Sequence, residues 1–289
     1  MFKFPNKKTP ILCQGITSIS GSMHVEKAIL YGSNIVAGVS KDKSVTSFQD
    51  IPVFQTVKDA VRKTHPEISV VFSSPSRVLA DVEEAIKAKI PLIICPVNHV
   101  PYQDVLKMKK MAEKNKVRLI GPSAPGVVTT GSCLAGTVPA HLFNKGEVGI
   151  ISRSSSLTYE TVQQLAGFGM GVSACVAIGS AAILGTSFIP IVDAFLKDPN
   201  TKSILVIGKA SGDFEYELAH FLSKKKVSKK IAVYIPGKSL KREEKISVVG
   251  VEERDDEIHK KEQILEQAGV YIIRSAGIVG QEMANLLKS

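Results

Sequence analysis

Two turns in this 289-residue chain combine residue types that could do chemistry. The first, Gly15-Ile-Thr-Ser-Ile-Ser-Gly21, sits between an apolar run and a helical pattern. Free amides at a helix start, small hydroxyl side chains and the helix dipole together make an anion cradle, usually for phosphate. The spacing is not GxGxxG, so the dinucleotide fingerprint fails, and a Ser/Thr-capped turn without a ligand stays open as the alternative. Lys41 and Lys43 follow the second apolar run, where a Rossmann-type fold meets the ribose end of its ligand. A lysine there suits a ribose phosphate better than a plain hydroxyl, which pairs with an acid. A solvated loop lysine is the plainer reading. The second turn, Ile151-Ser-Arg-Ser-Ser-Ser-Leu-Thr-Tyr-Glu160, again leads from strand to helix and is rich in hydroxyls with one arginine. It is a second candidate oxyanion or phosphate site, with a serine-rich N-cap as the alternative.

Each turn needs a strand to enter from and a helix to leave by. Short β-branched runs alternate with longer amphipathic segments, the pattern of βαβ units on a parallel sheet. The first half predicts strands over 11–17, 34–40, 69–73, 92–95 and 118–120, and helices over 22–31, 57–64, 78–89 and 102–116. Gly121-Pro-Ser-Ala-Pro-Gly126 and the stretch 129–136 then break the rhythm and mark a boundary. The second half predicts strands over 148–152, 173–178, 203–207, 231–235 and 270–274, and helices over 159–167, 188–196, 214–222, 256–268 and 277–287. The expectation is an α/β protein of two doubly wound domains, residues 1–128 and 129–289. Ligands of such sheets bind at the carboxyl ends of the strands, and the charged, irregular stretch Lys238–Asp255 falls at one of them.

Composition narrows the classes. Apolar residues at 44% and charged ones at 22% exclude a disordered or fibrous chain. Lys plus Arg number 37 against 27 Asp plus Glu, and the net +10 favours acidic ligands without amounting to a polybasic tail. With no Trp, 6% aromatics and no recognised module, nucleic-acid binding ranks low. The longest apolar stretch, near 90–97, is far shorter than the roughly 20 residues of a bilayer span. The opening residues lack a hydrophobic or Arg/Ser-rich leader and read as a mature cytoplasmic start. Cys13, Cys95, Cys133 and Cys175 lie far apart with no CxxC pair, which predicts reduced, mostly buried thiols.

Beyond this, several segments carry a resemblance. Cys13-Gln-Gly-Ile-Thr17, Tyr31-Gly32, Pro52-Val-Phe54, Gly121-Pro122, Pro125-Gly126, Ser152-Arg-Ser154, Leu157-Thr-Tyr-Glu160, Lys197-Asp-Pro199 and Gln267-Ala-Gly-Val270 run collinearly over nearly the whole chain. Together they make it resemble the α-subunit of succinate–CoA ligase (succinyl-CoA synthetase). That resemblance implies a Rossmann-like CoA-binding domain followed by a flavodoxin-like ligase domain. Thr17, Ser18, Ile19, Ser20, Lys43, Pro96, Val97 and Asn98 match positions that hold CoA. Tyr159 matches the position that meets the carboxylic acid substrate, beside the candidate phosphate-binding Ser154 and Ser155. The implied partner is an ATP-grasp β-subunit, in a heterodimer or heterotetramer, which engages ATP or GTP with Mg. The implied reaction joins an acid to CoA through a phosphorylated imidazole and an acyl phosphate, a step of the tricarboxylic acid cycle.

The departures bear on chemistry. The family's nucleophilic histidine sits in a Gly-His-Ala-Gly-Ala loop that falls here in Arg242–Val249, yet no histidine occurs from Phe221 to Ile258. His259 is the nearest, in a Lys/Glu-rich helical segment where a histidine is expected to be solvated. Lys209 stands where the family has a glutamate that favours the charged imidazole, and a cation there repels an imidazolium. Ser180-Ala-Ala182 replaces a Gly-Gly-Asp turn, and Gly121-Pro-Ser-Ala-Pro-Gly126 replaces Gly-Pro-Asn-Cys-Pro-Gly. Asn98 replaces a glutamate, and Ser18 replaces a glycine whose absence narrows backbone access to a phosphate. Several such changes beside an intact fold pattern argue for a kept scaffold and a relaxed phosphotransfer.

Two further readings stay open. One is an active NTP-dependent acid–CoA ligase subunit, using His259 or an acyl phosphate made on the β-subunit. The other is a non-enzymatic CoA- or nucleotide-sensing scaffold whose basic face, Lys224-Lys-Lys226 and Lys229-Lys230, docks an acidic partner. Solvating lysines at a helix C-terminus are the plainer account of that run.

Overall fold

The computed structural model describes residues 2–237 and 254–288, so the expected histidine position, Arg242–Val249, lies outside the described residues. The chain divides into two compact units. The first comprises Lys3–His141 and Cys175–Thr186, and the second is built mainly from Leu142–Ala174 and Ser187–Ser289.

In the first unit, β1 (Ile11–Gln14) is buried along its whole length, as an apolar central strand of a parallel sheet must be. It pairs in parallel with β2 (Ile35–Val39) on one side and β5 (Ile68–Val71) on the other. The sheet continues from β2 through β4 (Ile51–Phe54) to β3 (Ser47–Phe48), and from β5 through β6 (Leu92–Ile94) to β7 (Arg118–Ile120). β3 runs antiparallel to β4. The winding therefore reverses between β1 and β5, which is where ligands of open α/β sheets bind. Leu12, Val39, Val71 and Ile93 from the strands meet Val57, Val82 and Met108 from helices α2 (Val57–Thr64), α3 (Val78–Lys87) and α4 (Tyr102–Lys114) in one buried cluster. Helix α2 begins where the Thr56 side chain accepts the Asp59 N–H at 3.1 Å, and ends where His65 turns left-handed.

The stretch read as a boundary is itself ordered structure. It forms an antiparallel hairpin of β8 (Gly126–Thr129) and β9 (Cys133–Gly136). Gly126 and Gly136 pair across it at φ +107° and +124°, and a Cβ on either would lie 2.2 Å from a carbonyl oxygen, so side chains are excluded at both. Ser33 Oγ donates to Leu134 O and accepts its N–H, at 2.9 and 2.8 Å. The Tyr31 hydroxyl accepts the Gly131 N–H at 2.8 Å. These bonds fasten the hairpin to the end of α1 (Ile19–Leu30).

In the second unit, β10 (Lys145–Ser152), β12 (Ser203–Ile207), β13 (Lys230–Tyr234) and β14 (Tyr271–Ile273) pair in parallel in that order. The strand β11 (Val172–Ala177) crosses the division between the units. Helices α5 (Ser155–Gly167), α6 (Ile189–Lys197), α7 (Phe214–Ser223), α8 (Arg254–Gln267) and α9 (Val279–Lys288) complete the α/β pattern. Lys229 donates to Phe195 O at 2.7 Å and to Asp198 O, at the end of α6, and Lys230 donates to Leu286 O at 2.6 Å, at the end of α9. Cations at helix C-termini satisfy carbonyls that have no helical partner. Lys225 pairs with Asp193. Three lysines of the candidate basic face are thus engaged within the unit. Among the described residues, no helix is long and apolar enough to cross a membrane.

Candidate functional site

The carboxyl ends of β1, β2 and β5 open into a cavity of about 230 Å³, lined by Gln14, Gly15, Thr17, Ser18, Ser40, Lys41, Phe72, Ser73, Arg77 and neighbours. The β1–α1 turn is tight enough to require glycine at both ends. A Cβ on Gly15, at φ +72°, would lie 2.7 Å from Phe72 O, and one on Gly21 would lie 2.1 Å from Gly15 O. Ser18 is the N-cap of α1: its Oγ accepts the Gly21 N–H at 3.0 Å and donates to Gly15 O at 2.8 Å. The Ser18 hydroxyl is therefore turned into the loop. Thr17 Oγ1 lies 2.9 Å from Ser40 Oγ, joining the turns after β1 and β2.

A second cavity of about 350 Å³ shares Phe72 and Ser73 with the first and is lined by Ser20, His24, Pro96, Val97, Asn98 and Thr137. The His24 ring stacks on Phe72 at 5.8 Å and 8°. Burial, and then the Lys27 charge, push its pKa below the ordinary imidazole value. The Ser123 N–H donates to Val97 O at 3.0 Å, which ties the Gly121–Gly126 turn to this wall.

Of the sequence-predicted residues, Thr17 and Ser18 line the first cavity, and Ser20, Pro96, Val97 and Asn98 the second. Ile19 is 92% exposed at the start of α1. Lys43 is exposed and lines neither cavity, whereas Lys41 lines the first. Gln14, His24, Ser73 and Arg77 were not anticipated. The run Ser73-Ser-Pro-Ser-Arg77 is a third strand-to-helix turn with hydroxyls and a cation, and that composition was the available signal.

Two wall atoms bear on what these cavities hold. Gln14 is 1% exposed; its Nε2 donates to Ser69 Oγ at 3.0 Å and Asp81 O at 3.1 Å, and its Oε1 has no partner among the described residues. Ser73 Oγ is likewise buried and unpartnered. A buried polar atom left without a hydrogen bond is costly, and a ligand hydroxyl or amine would satisfy both. Helix-start amides, two cations and unmet acceptors suit a phosphorylated nucleotide.

The second unit's turn is also built by hydroxyls. Ser154 caps α5, accepting the Leu157 N–H at 3.4 Å, while Ser152 Oγ donates to Ser154 O at 2.9 Å. Ser155 is exposed and Tyr159 is half-buried, both on α5. Arg153 is 3% exposed, lies 4.9 Å over the Phe214 ring and donates from Nη1 to Ser211 O at 3.1 Å. Burial pushes its pKa down while Glu215 acts against the shift. Below this loop the ammonium of Lys261 reaches Lys209 O at 3.2 Å, Ala210 O at 2.9 Å and Gly212 O, and Glu215 accepts the Lys209 N–H at 2.8 Å. Lys209 thus sits in a loop pinned from beneath. His259 is exposed on α8. Ile258, Lys261, Glu262 and Leu265 recur at helical spacing on the buried face of α8, and that phase is the signal that could have found Lys261.

A model of the CoA binding domain matches residues 6–98, which include most of both cavity linings, and a model of CoA-ligase matches residues 151–279. The chain is 37% identical over 292 residues to the α subunit of succinate–CoA ligase [ADP-forming] from Aquifex aeolicus, covering 98% of this chain and 94% of that one. The chain belongs to the succinate–CoA ligase α-subunit family. The Staphylococcus epidermidis α subunit is 36% identical over 239 residues, 83% of this chain and 79% of that one. Among solved structures, ATP citrate lyase from Methanothrix soehngenii in complex with citrate and coenzyme A superposes with a TM-score of 0.84 at 20% identity. That likeness is of fold; it covers 98% of this chain, which spans 50% of the other. This member of the succinate–CoA ligase α-subunit family is α-subunit-like and CoA-binding, with the CoA-binding portion in the first unit.

Proposed function

We propose that the protein binds CoA as an α-type subunit, pairs with an ATP-grasp β-type subunit, and does not carry the phosphoryl group on histidine. CoA lies in the first-unit cavities, contacted by Thr17, Ser18, Ser20, Pro96, Val97 and Asn98 in their linings, and extends past their rims to the exposed Ile19 and Lys43. Residues 1–128 serve CoA and residues 129–289 the ligase role, in which Ser154 at the cap of α5 and Ser155 and Tyr159 on that helix meet an acid or phosphate group. ATP or GTP with Mg engages the partner. The four free, buried cysteines suit a cytoplasmic, reducing setting.

The observation that carries the reading is one of sequence and site together. A cavity with helix-start amides and unmet acceptors stands in a chain with no histidine from Phe221 to Ile258. Lys209 in place of the family's glutamate adds to it, because a cation there opposes an imidazolium.

Mixing the chain with a cognate β-type subunit and titrating CoA by calorimetry tests the binding half. The expected result is a co-eluting complex that takes one CoA per α-type chain. No heat at millimolar CoA, or no complex, would overturn it.

A further inference from the structure

We propose that Lys41 and Arg77 form an anion clamp that recognises the ribose 3′-phosphate of CoA and so distinguishes CoA from dephospho-CoA. The inference rests on CoA occupying the first-unit cavities. The two cavities differ in charge. The first is lined by Lys41, Arg77 and Asp81, whereas among the described residues the second has no Lys, Arg, Asp or Glu in its lining. A ligand with a phosphorylated nucleoside at one end and a neutral thiol-bearing arm at the other is oriented by that difference, nucleoside in the first cavity and arm in the second. The start of α1 lies at their junction, with Ser18 lining one and Ser20 the other, and its amides take the linking diphosphate.

The two cations then face the remaining phosphate. They come from separate loops, after β2 and after β5, and each is loosely held: Lys41 Nζ is 3.5 Å from Glu84 and 3.3 Å from Gln55 O, and Arg77 is 3.4 Å from Asp81. Both side chains are 51% exposed, so each keeps donors available to a phosphate, which a guanidinium can take in a fork. Beside them Gln14 Oε1, without a partner among the described residues, calls for an N–H or O–H, which a purine amine or ribose hydroxyl supplies. Lys41 stands with Lys43 among the sequence candidates for a ribose phosphate, whereas Arg77 is added by the structure.

Calorimetric dissociation constants for CoA and 3′-dephospho-CoA decide the matter, measured on the full chain, Arg77→Gln, Lys41→Gln and, as a charge control on α4, Lys107→Gln. The full chain is expected to prefer CoA by about 100-fold, and each clamp substitution to remove about tenfold of that by weakening CoA alone. Lys107→Gln leaves the ratio unchanged. Retained dephospho-CoA binding reports that the variants fold. An unchanged ratio in both clamp variants, or equal weakening of both ligands, overturns the clamp while leaving CoA binding itself intact. Failure of the full chain to bind either ligand overturns the CoA reading and the clamp with it.

Discussion

The ammonium of Lys261 lies 2.9 Å from the carboxylate of Glu215, and neither side chain reaches solvent. The pair holds the loop after β12 from below, since Lys261 also donates to three carbonyls of residues 209–212 and Glu215 accepts the Lys209 N–H. Buried ions of this kind are stable only together: removing one partner strands a charge and costs about 3–5 kcal/mol. Lys261→Met is therefore expected to lower the unfolding free energy by that amount in urea melts. The double variant Lys261→Met with Glu215→Gln should lose less than the sum of the singles, and strict additivity would contradict the coupling.

The β1–α1 turn gives a second test. A Cβ on Gly21 would lie 2.1 Å from Gly15 O and 2.8 Å from Ser18 Oγ, so Gly21→Ala must push apart both the turn and its cap. About 1–3 kcal/mol of stability is expected to be lost to this overpacking. CoA affinity should fall at least about tenfold, read by calorimetry below the melting point. Unchanged affinity would separate the turn from the ligand.

Thiol chemistry gives a third. Burial pushes Cys13 and Cys95 to about 12, Cys133 to about 11 and Cys175 further up, so thiolate is scarce in the folded chain. A disulfide reagent at mildly alkaline pH should find no fast thiol in the native protein and all four after denaturation. One rapidly labelled native cysteine would refute this.

His24 sets the sign of a pH effect. Its folded pKa lies below the ordinary 6.5 because burial, then Lys27, disfavours the imidazolium. As pH falls through 6.5, the unfolded chain takes up the proton first, so stability is unaffected above that value and declines below it. In chemical melts between about pH 7 and pH 5, His24→Asn should show a shallower decline than the parent chain. Parallel curves would contradict the assignment.

Much of this was legible in the sequence because buried parallel strands are written as short apolar runs and helices announce their caps. The helix 57–64 and the strands 118–120 and 203–207 were read at the bounds they have. The β8–β9 hairpin was not, because its paired Gly126 and Gly136 signal turns while serving as strand residues where two backbones nearly touch. In the site, Thr17 and Ser18 were visible from one local motif. Gln14, Ser73 and Arg77 were not, because their meeting depends on β1 and β5 being neighbours. Lys261 falls in phase with the buried Ile258 and Leu265, but a lysine in a Lys/Glu-rich helix reads as solvated, and its partner Glu215, 46 residues earlier, is not visible from local sequence.

The central proposal is that this chain does not carry phosphate on a histidine, as the absence of histidine from Phe221 to Ile258 suggests. The direct measurement is to incubate the chain with a cognate β-type subunit and ATP labelled at the γ-phosphate, then assay this chain for acid-labile, alkali-stable phosphate. No label above background is predicted, whereas stoichiometric label on any histidine of this chain would contradict the account.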